Sequence, residues 1–200
     1  MAENHPRSAI PRREALRLFK RAAIRDAARR VFGRDGLEAT TMRAIAGEAG
    51  YSPGALYSYY PTKDHLLVDL AAQSLGLAAK AVRAGGSDEA APAARALYAY
   101  FATRPHEFDL VLTVFQAARR ADGGSPDHER RLTGQLIAAL APIAEGLVAA
   151  GEGAVAANRR ALAMGAEILG LLMLANSGQL AALGIGPEAL LDGATRPRGD

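Results

Sequence analysis

The stretch "AGYSPGALYSYYPTKDHLL" (residues 49–67) places four tyrosines, Tyr51, Tyr57, Tyr59 and Tyr60, within ten residues of a chain that has only six. It is too short to form a core of its own, and its glycine and prolines divide it into helical pieces. Gly50 suits the left-handed position that closes a helix. Ser52 followed by Pro53 opens the next one. The serine hydroxyl accepts from first-turn N–H groups, and proline lacks a donor where none would be used. Pro61 disfavours helical geometry in the residue before it, so this helix ends at about Tyr60. Thr62 then caps a further helix, and Asp64 in its first turn complements the helix dipole.

The same pattern extends upstream. Thr40 or Thr41 caps a short helix whose buried stripe is Met42, Ile45, Ala46 and Ala49. Before it, Phe19, Ala23, Ile24, Ala27, Val31 and Phe32 recur at three- and four-residue steps. They predict an amphipathic helix from Arg12, with Pro11 at its start, that ends at "GRDG" (33–36) and carries Arg17, Arg21, Arg25, Arg29 and Arg30 on its other face. Downstream, Leu66, Leu67, Leu70, Leu75 and Ala78 continue a helix from Lys63 to a break at "GGS" (85–87). Further helices are expected at about 88–104, 106–121, 126–150 and 155–182, with a short one near 187–192. No segment alternates with period two, so the expected class is all-α.

Two short helices after a longer one form a helix-turn-helix, in which the first braces across the DNA backbone and the second enters the major groove. The tyrosines then have a purpose. Tyr60 lies four residues after Leu56 and can share its inward face, while Tyr57 and Tyr59 fall on faces where hydroxyls reach phosphates. Pro53, Gly54 and Ala55 allow a close approach to the groove. Lys63, at a helix start, is placed to grip another phosphate. Charge agrees with this placement. Residues 1–63 carry twelve Lys or Arg against six Asp or Glu, and residues 64–200 carry twelve against fifteen. A basic front third on a mildly acidic body suits a polyanion partner for the front, although a solvated arginine-rich helix gives the same count.

"TTMRAIAGEAGYSPGALYSYYPTKDHLL" and the upstream "IRDAARRVFGRDGLEATT" resemble the DNA-binding motif of TetR/AcrR-family transcriptional regulators over about residues 20–70. The resemblance implies a helix-turn-helix domain over residues 12–65, a helical ligand-binding and dimerisation domain over 66–193, and flexible tails at 1–11 and 194–200. It implies a homodimer on a palindromic double-stranded operator, most simply a repressor released by a small-molecule effector. A ligand-independent DNA-binding dimer and an activator are the alternatives of the same fold. By position, Thr41 caps the second helix and touches phosphate, and Arg43 reaches a base or the backbone. Ser52 opens the recognition helix; Pro53, Gly54 and Ala55 face the groove; Tyr57 and Tyr59 contact the backbone; Lys63 anchors it. The chain departs from the commoner pattern at Tyr51, where a small aliphatic is usual, and at Ala55, where threonine is usual. Losing that hydroxyl and having a proline at 53 leaves base readout thin, with Arg43 the best candidate for guanine.

The segment 159–186 is the most apolar, and a helix apolar most of the way round is buried on more than one side. Ala163, Ala166, Glu167, Gly170, Met173 and Ser177 are the expected dimer contacts, in an isologous four-helix interface with the 126–150 helix. A membrane span is disfavoured because Glu167, Asn176 and Gln179 interrupt the segment. Tyr98, Phe101, Phe108, Leu112 and Phe115 are the candidate walls of an apolar effector pocket. His106, Glu107 and Asp109 read as a helix start with acids in its first turn rather than as a metal cluster. The chain has no cysteine, and its basic N-terminus lacks a secretory apolar segment, both of which agree with the cytoplasm. No nucleotide-binding, metalloprotease or nucleophile-elbow motif is present, so neither catalysis nor a cofactor is expected.

Overall fold

The computed structural model describes residues 11–86, 88–120 and 126–195. The described residues form ten helices and no strand, so the protein is all-α. Most of the tails expected at 1–11 and 194–200, and most of the "DGGSP" break, lie outside the described residues; Pro11 caps the first helix, and residues 194 and 195 close the last helix rather than starting a tail. The chain divides into two compact units, one ending at Leu66 and the other beginning at Leu67.

The first unit holds α1 (Arg12–Ala39), α2 (Met42–Ala49), α3 (Pro53–Tyr57) and the first turn of α4 (Lys63–Ala84). Helix α1 starts after Pro11 and is interrupted at Gly36, whose φ of 78° and ψ of 175° are non-helical. The "GRDG" stop therefore holds at its last residue, with one helical turn following. Ile24, Ala27, Val31 and Phe32 are buried as the periodicity requires. Phe19 is not: it is 70% exposed, and Leu16 and Leu18 beside it are also exposed. The first two turns of α1 extend past the small three-helix core, so the apolar stripe outruns its cover. The core itself joins the α1 residues to Met42, Ile45, Ala46, Leu56 and Tyr60. Ala49, expected in the buried stripe, is only half-buried at the end of α2.

The second unit contains the rest of α4, then α5 (Ala90–Ala102), α6 (Pro105–Arg120), α7 (Pro126–Ala149), α8 (Ala154–Asn176), α9 (Gln179–Ala182) and α10 (Pro187–Thr195). Its closest pairs are α7 with α8 and α5 with both. Gly146 of α7 makes one of these approaches possible. A Cβ there would lie 2.4 Å from the Ala90 backbone nitrogen at the start of α5, so no side chain fits. The single helix expected over 155–182 is divided into α8 and α9 by Gly178 in the left-handed conformation, φ 76°. Buried polar groups help to hold α4 to its neighbours. Buried Asp69 pairs with Arg131 of α7, and buried Ser74 donates to Glu107 of α6. Among the described residues α7 alone is long and apolar enough to cross a bilayer, by length and composition only. Its Leu132, Leu140, Ile143 and Leu147 are buried within the unit.

Candidate functional site

The turn between α2 and α3 is fixed by backbone chemistry. Gly50 adopts φ 72°, ψ 28°, and its N–H donates to the Ala46 and Gly47 carbonyls, while Tyr51 N–H reaches the Ala46 carbonyl at 2.9 Å. This double closure satisfies carbonyls the helix end would orphan, and it demands a residue without steric objection to positive φ. The caps fall where expected. Thr41 Oγ1 accepts from Ala44 N–H at 3.1 Å, Ser52 Oγ from Ala55 N–H at 3.2 Å, and Thr62 Oγ1 from His65 N–H at 3.2 Å. Thr40 has a different role. It is buried, and its hydroxyl donates to the Gly36 carbonyl at 2.6 Å.

Helix α3 is shorter than the expected Ser52–Tyr60 helix, ending at Tyr57. Ser58 and Tyr59 N–H groups bond to the Ala55 and Leu56 carbonyls three residues back, a tightened turn that prepares for Pro61. Leu56 and Tyr60 point inward and are fully buried. The Tyr60 ring lies under the Arg21 guanidinium, 4.7 Å from its centroid, and the Tyr60 hydroxyl accepts from Arg21 Nε at 3.4 Å. Tyr57 is about half exposed and Tyr59 is half-buried. Thr41, Arg43, Ser52, Pro53 and Gly54 are exposed, and Ala55 is half-buried. Thr41, Arg43, Ser52 and Tyr57 are thus accessible on one small unit, with Tyr59 partly so and Tyr60 not at all.

Three features escaped sequence reasoning. Arg30 Nε and Arg34 Nη1 both donate to Glu48, at 2.7 and 3.3 Å, clamping α1 to α2. Hydrogen bonds from Arg30 first, then Arg34, hold the Glu48 carboxyl below the usual carboxylate range, and the Arg34 hydrogen bond does the same for Asp35. Part of the basic front is therefore internal bracing. The third feature is Lys63, whose ammonium donates to the Leu37 carbonyl at 2.9 Å and ties the start of α4 to the end of α1. The separations of 14 to 26 residues leave no periodic trace that could have revealed these contacts.

The second unit holds an open-sided cavity of about 290 Å³ between α4, α5, α6, α7 and α8. Phe101, Phe108, Leu112 and Phe115 line it as expected, together with Leu75, Leu140 and Ile168. Tyr98 does not. The cavity-facing positions of α5 are Leu97 and Phe101, four apart, and Tyr98 is rotated away from them. Burial, and secondarily the Glu188 carboxylate of α10, raises its phenol above the ordinary range. Every lining residue is apolar. Of the expected dimer contacts, Ala163, Ala166, Met173 and Ser177 are exposed and Glu167 and Gly170 half-buried, all on α8; Ala166 also lines the cavity. Among the described residues no group of three or more His, Asp or Glu is placed to hold a metal, and Glu107 is engaged by Ser74.

Residues 24–70 match the family described as bacterial regulatory proteins, tetR family. The HTH-type transcriptional repressor KstR of Mycobacterium tuberculosis is 45% identical over 49 residues, and that of Rhodococcus jostii is 43% identical over 54. The matched stretch spans only 22% and 26% of those two repressors, and 24% and 27% of this chain. Over the whole fold, the crystal structure of SCO4313 superposes with a TM-score of 0.72 at 26% identity, covering 93% of this chain and 97% of that one. Thermus thermophilus FadR, a TetR-family transcriptional repressor solved with lauroyl-CoA, superposes at 0.59 with 25% identity, covering 87% and 90%. The sequence likeness falls on the capped turn and tyrosine-bearing helix, and the structural likeness runs on through the second unit; residues 24–70 are a tetR-family regulatory domain, and the whole chain is similar in fold to TetR-type transcriptional regulators.

Proposed function

We propose that the chain is a homodimeric repressor that binds a palindromic operator and is released by a small-molecule effector. The observation that carries this reading is the accessible surface made by Thr41, Arg43, Ser52, Pro53, Gly54, Ala55, Tyr57 and Tyr59 on a rigidly capped turn. It supports the following division of labour. The hydroxyls of Thr41, Tyr57 and Tyr59 and the ammonium of Lys63 position the phosphates, and Arg43 reads a base edge. With proline at 53 and alanine at 55, positioning and DNA shape carry most of the affinity. The protein acts by binding rather than catalysis, in the cytoplasm where its DNA is.

Two copies joined through α7 and α8 would hold their recognition helices about one DNA turn apart, ~34–36 Å, for successive major grooves. An effector in the second unit lowers operator affinity only by its preference for a wrongly spaced arrangement, and no more. FadR, on a similar fold, was solved with a bound small molecule, lauroyl-CoA, which supports a ligand-responsive reading of this architecture. Gel shifts with duplexes flanking the gene test the reading. A retarded complex that Tyr57→Ala and Arg43→Ala weaken by tenfold or more is expected; equal binding to unrelated duplexes would overturn it.

A further inference from the structure

The cavity and the outward face of α8 are two sides of the same residues. Most of the cavity wall is buried, but three lining residues, Leu162, Ala166 and Leu169, are exposed, Leu162 by 58% and Leu169 by 40%. They follow one another at steps of four and three along α8. The row continues outside the cavity to Val155 and Met173, which are 73% and 46% exposed. On the adjoining α7, Ile137 and Val148 are exposed as well. Scattered single apolar residues need no explanation, whereas a row of them along one helix, from Val155 to Met173, marks an interaction surface. Between the large residues stand Ala163 and Gly170, so a ridge of one face can seat in the groove of an identical one.

The wall also specifies what fits inside. Almost no polar atom faces the cavity and no charged side chain lines it. A charged or strongly hydrogen-bonding ligand would lose its hydration with nothing in return. A cavity of about 150 Å³ holds one benzene, so this one takes about two rings, roughly a dozen carbons. A ligand left at a mouth made of Leu162 and Leu169 would keep apolar surface in water.

We infer that the cavity takes an uncharged, wholly apolar ligand of about a dozen carbons, and that a second copy of this chain closes it by covering Leu162, Ala166 and Leu169. The inference rests on the homodimer proposed above and adds the ligand's class and the linkage. Because the ligand is enclosed only in the dimer, it must tighten the dimer by the same factor by which dimerisation tightens it.

Sedimentation and fluorescence titration of the full chain without DNA test this, with biphenyl and biphenyl-4-carboxylate as probes. Biphenyl is expected to bind and to lower the dimer dissociation constant at least fivefold, with the carboxylate binding at least thirtyfold more weakly. Leu169→Asp, at an exposed position, is expected to weaken both dimer and biphenyl binding; the wild-type titration decides the matter should this variant not fold. No binding of biphenyl, carboxylate binding within threefold of it, or a dimer constant indifferent to bound biphenyl would overturn the inference. A protein monomeric at every concentration would defeat it together with the proposed homodimer. A biphenyl-tightened dimer that ignores DNA would defeat the operator reading alone.

Discussion

Lys63 joins two roles that one substitution separates. Its ammonium bonds to the Leu37 carbonyl, and it has two further donors for a phosphate. Lys63→Met keeps the stem and removes the charge. The Leu37 carbonyl still accepts from Thr40 N–H at 3.3 Å, so it is not orphaned. The loss therefore belongs at the low end for a charge-assisted bond, about 1.5 kcal/mol. On DNA, each phosphate contact contributes about 0.9 to the slope of log K against log salt, so two subunits lose about 1.8. Between 50 and 200 mM salt, wild-type affinity should therefore fall about tenfold more than that of the variant. Urea unfolding without DNA reads the first effect, and binding isotherms over a salt series read the second. Lower stability with an unchanged slope would refute the phosphate contact; unchanged stability would refute the tie to α1.

Four other outcomes follow from the geometry. Gly146→Ala should destabilise by about 3 kcal/mol or more in denaturant melts, because its Cβ meets the α5 backbone, which cannot swing aside as a side chain does. The same change at Gly47, where a Cβ meets nothing within 4 Å, should stabilise α2 by up to about 1 kcal/mol. The Glu48 carboxyl is depressed from its ordinary 4.5, so its clamp on α1 is fully present above that pH and is lost as the pH falls through the lower folded value. Wild type and Glu48→Gln should accordingly differ in stability at pH 7 and converge on acidification; a gap that persists at pH 2 would contradict the clamp. Arg43→Ala should relax discrimination at one base pair of each half-site by about 1–3 kcal/mol, as read by binding to an operator library.

Legibility followed the range of the interactions. Caps and stops act within three or four residues, so Gly50, Ser52 and Thr62 could be assigned from neighbours alone and the α2 cap narrowed to Thr40 or Thr41; the structure places the bonds at Thr41, Gly50, Ser52 and Thr62. Burial of Leu56 and Tyr60 was equally local, being a four-residue spacing. What the sequence hid is contact between distant segments. Arg30 belongs to the basic face of α1 and Arg34 to its "GRDG" stop, and no local spacing shows that both reach Glu48. Asp69 and Arg131 are 62 positions apart and gave no sign of pairing. Phe19 kept the helical period but lies beyond the core that would cover it. Gly178 divides the last long helix by its left-handed conformation, a break the sequence hides because the apolar pattern resumes at Leu180 as though uninterrupted. Tyr98 shows the same limit. Its aromatic character suggested a pocket wall, but helical phase gave that place to Leu97 and Phe101.

The central claim is that a twinned helix-turn-helix surface lies in successive grooves of DNA. Footprinting combined with sedimentation of the complex, on a duplex from beside the gene, measures this directly. The account predicts two copies per duplex and two protected patches one helical turn apart, both lost in Tyr57→Ala. A single copy in solution, with no preference for that duplex over an unrelated one, would contradict it.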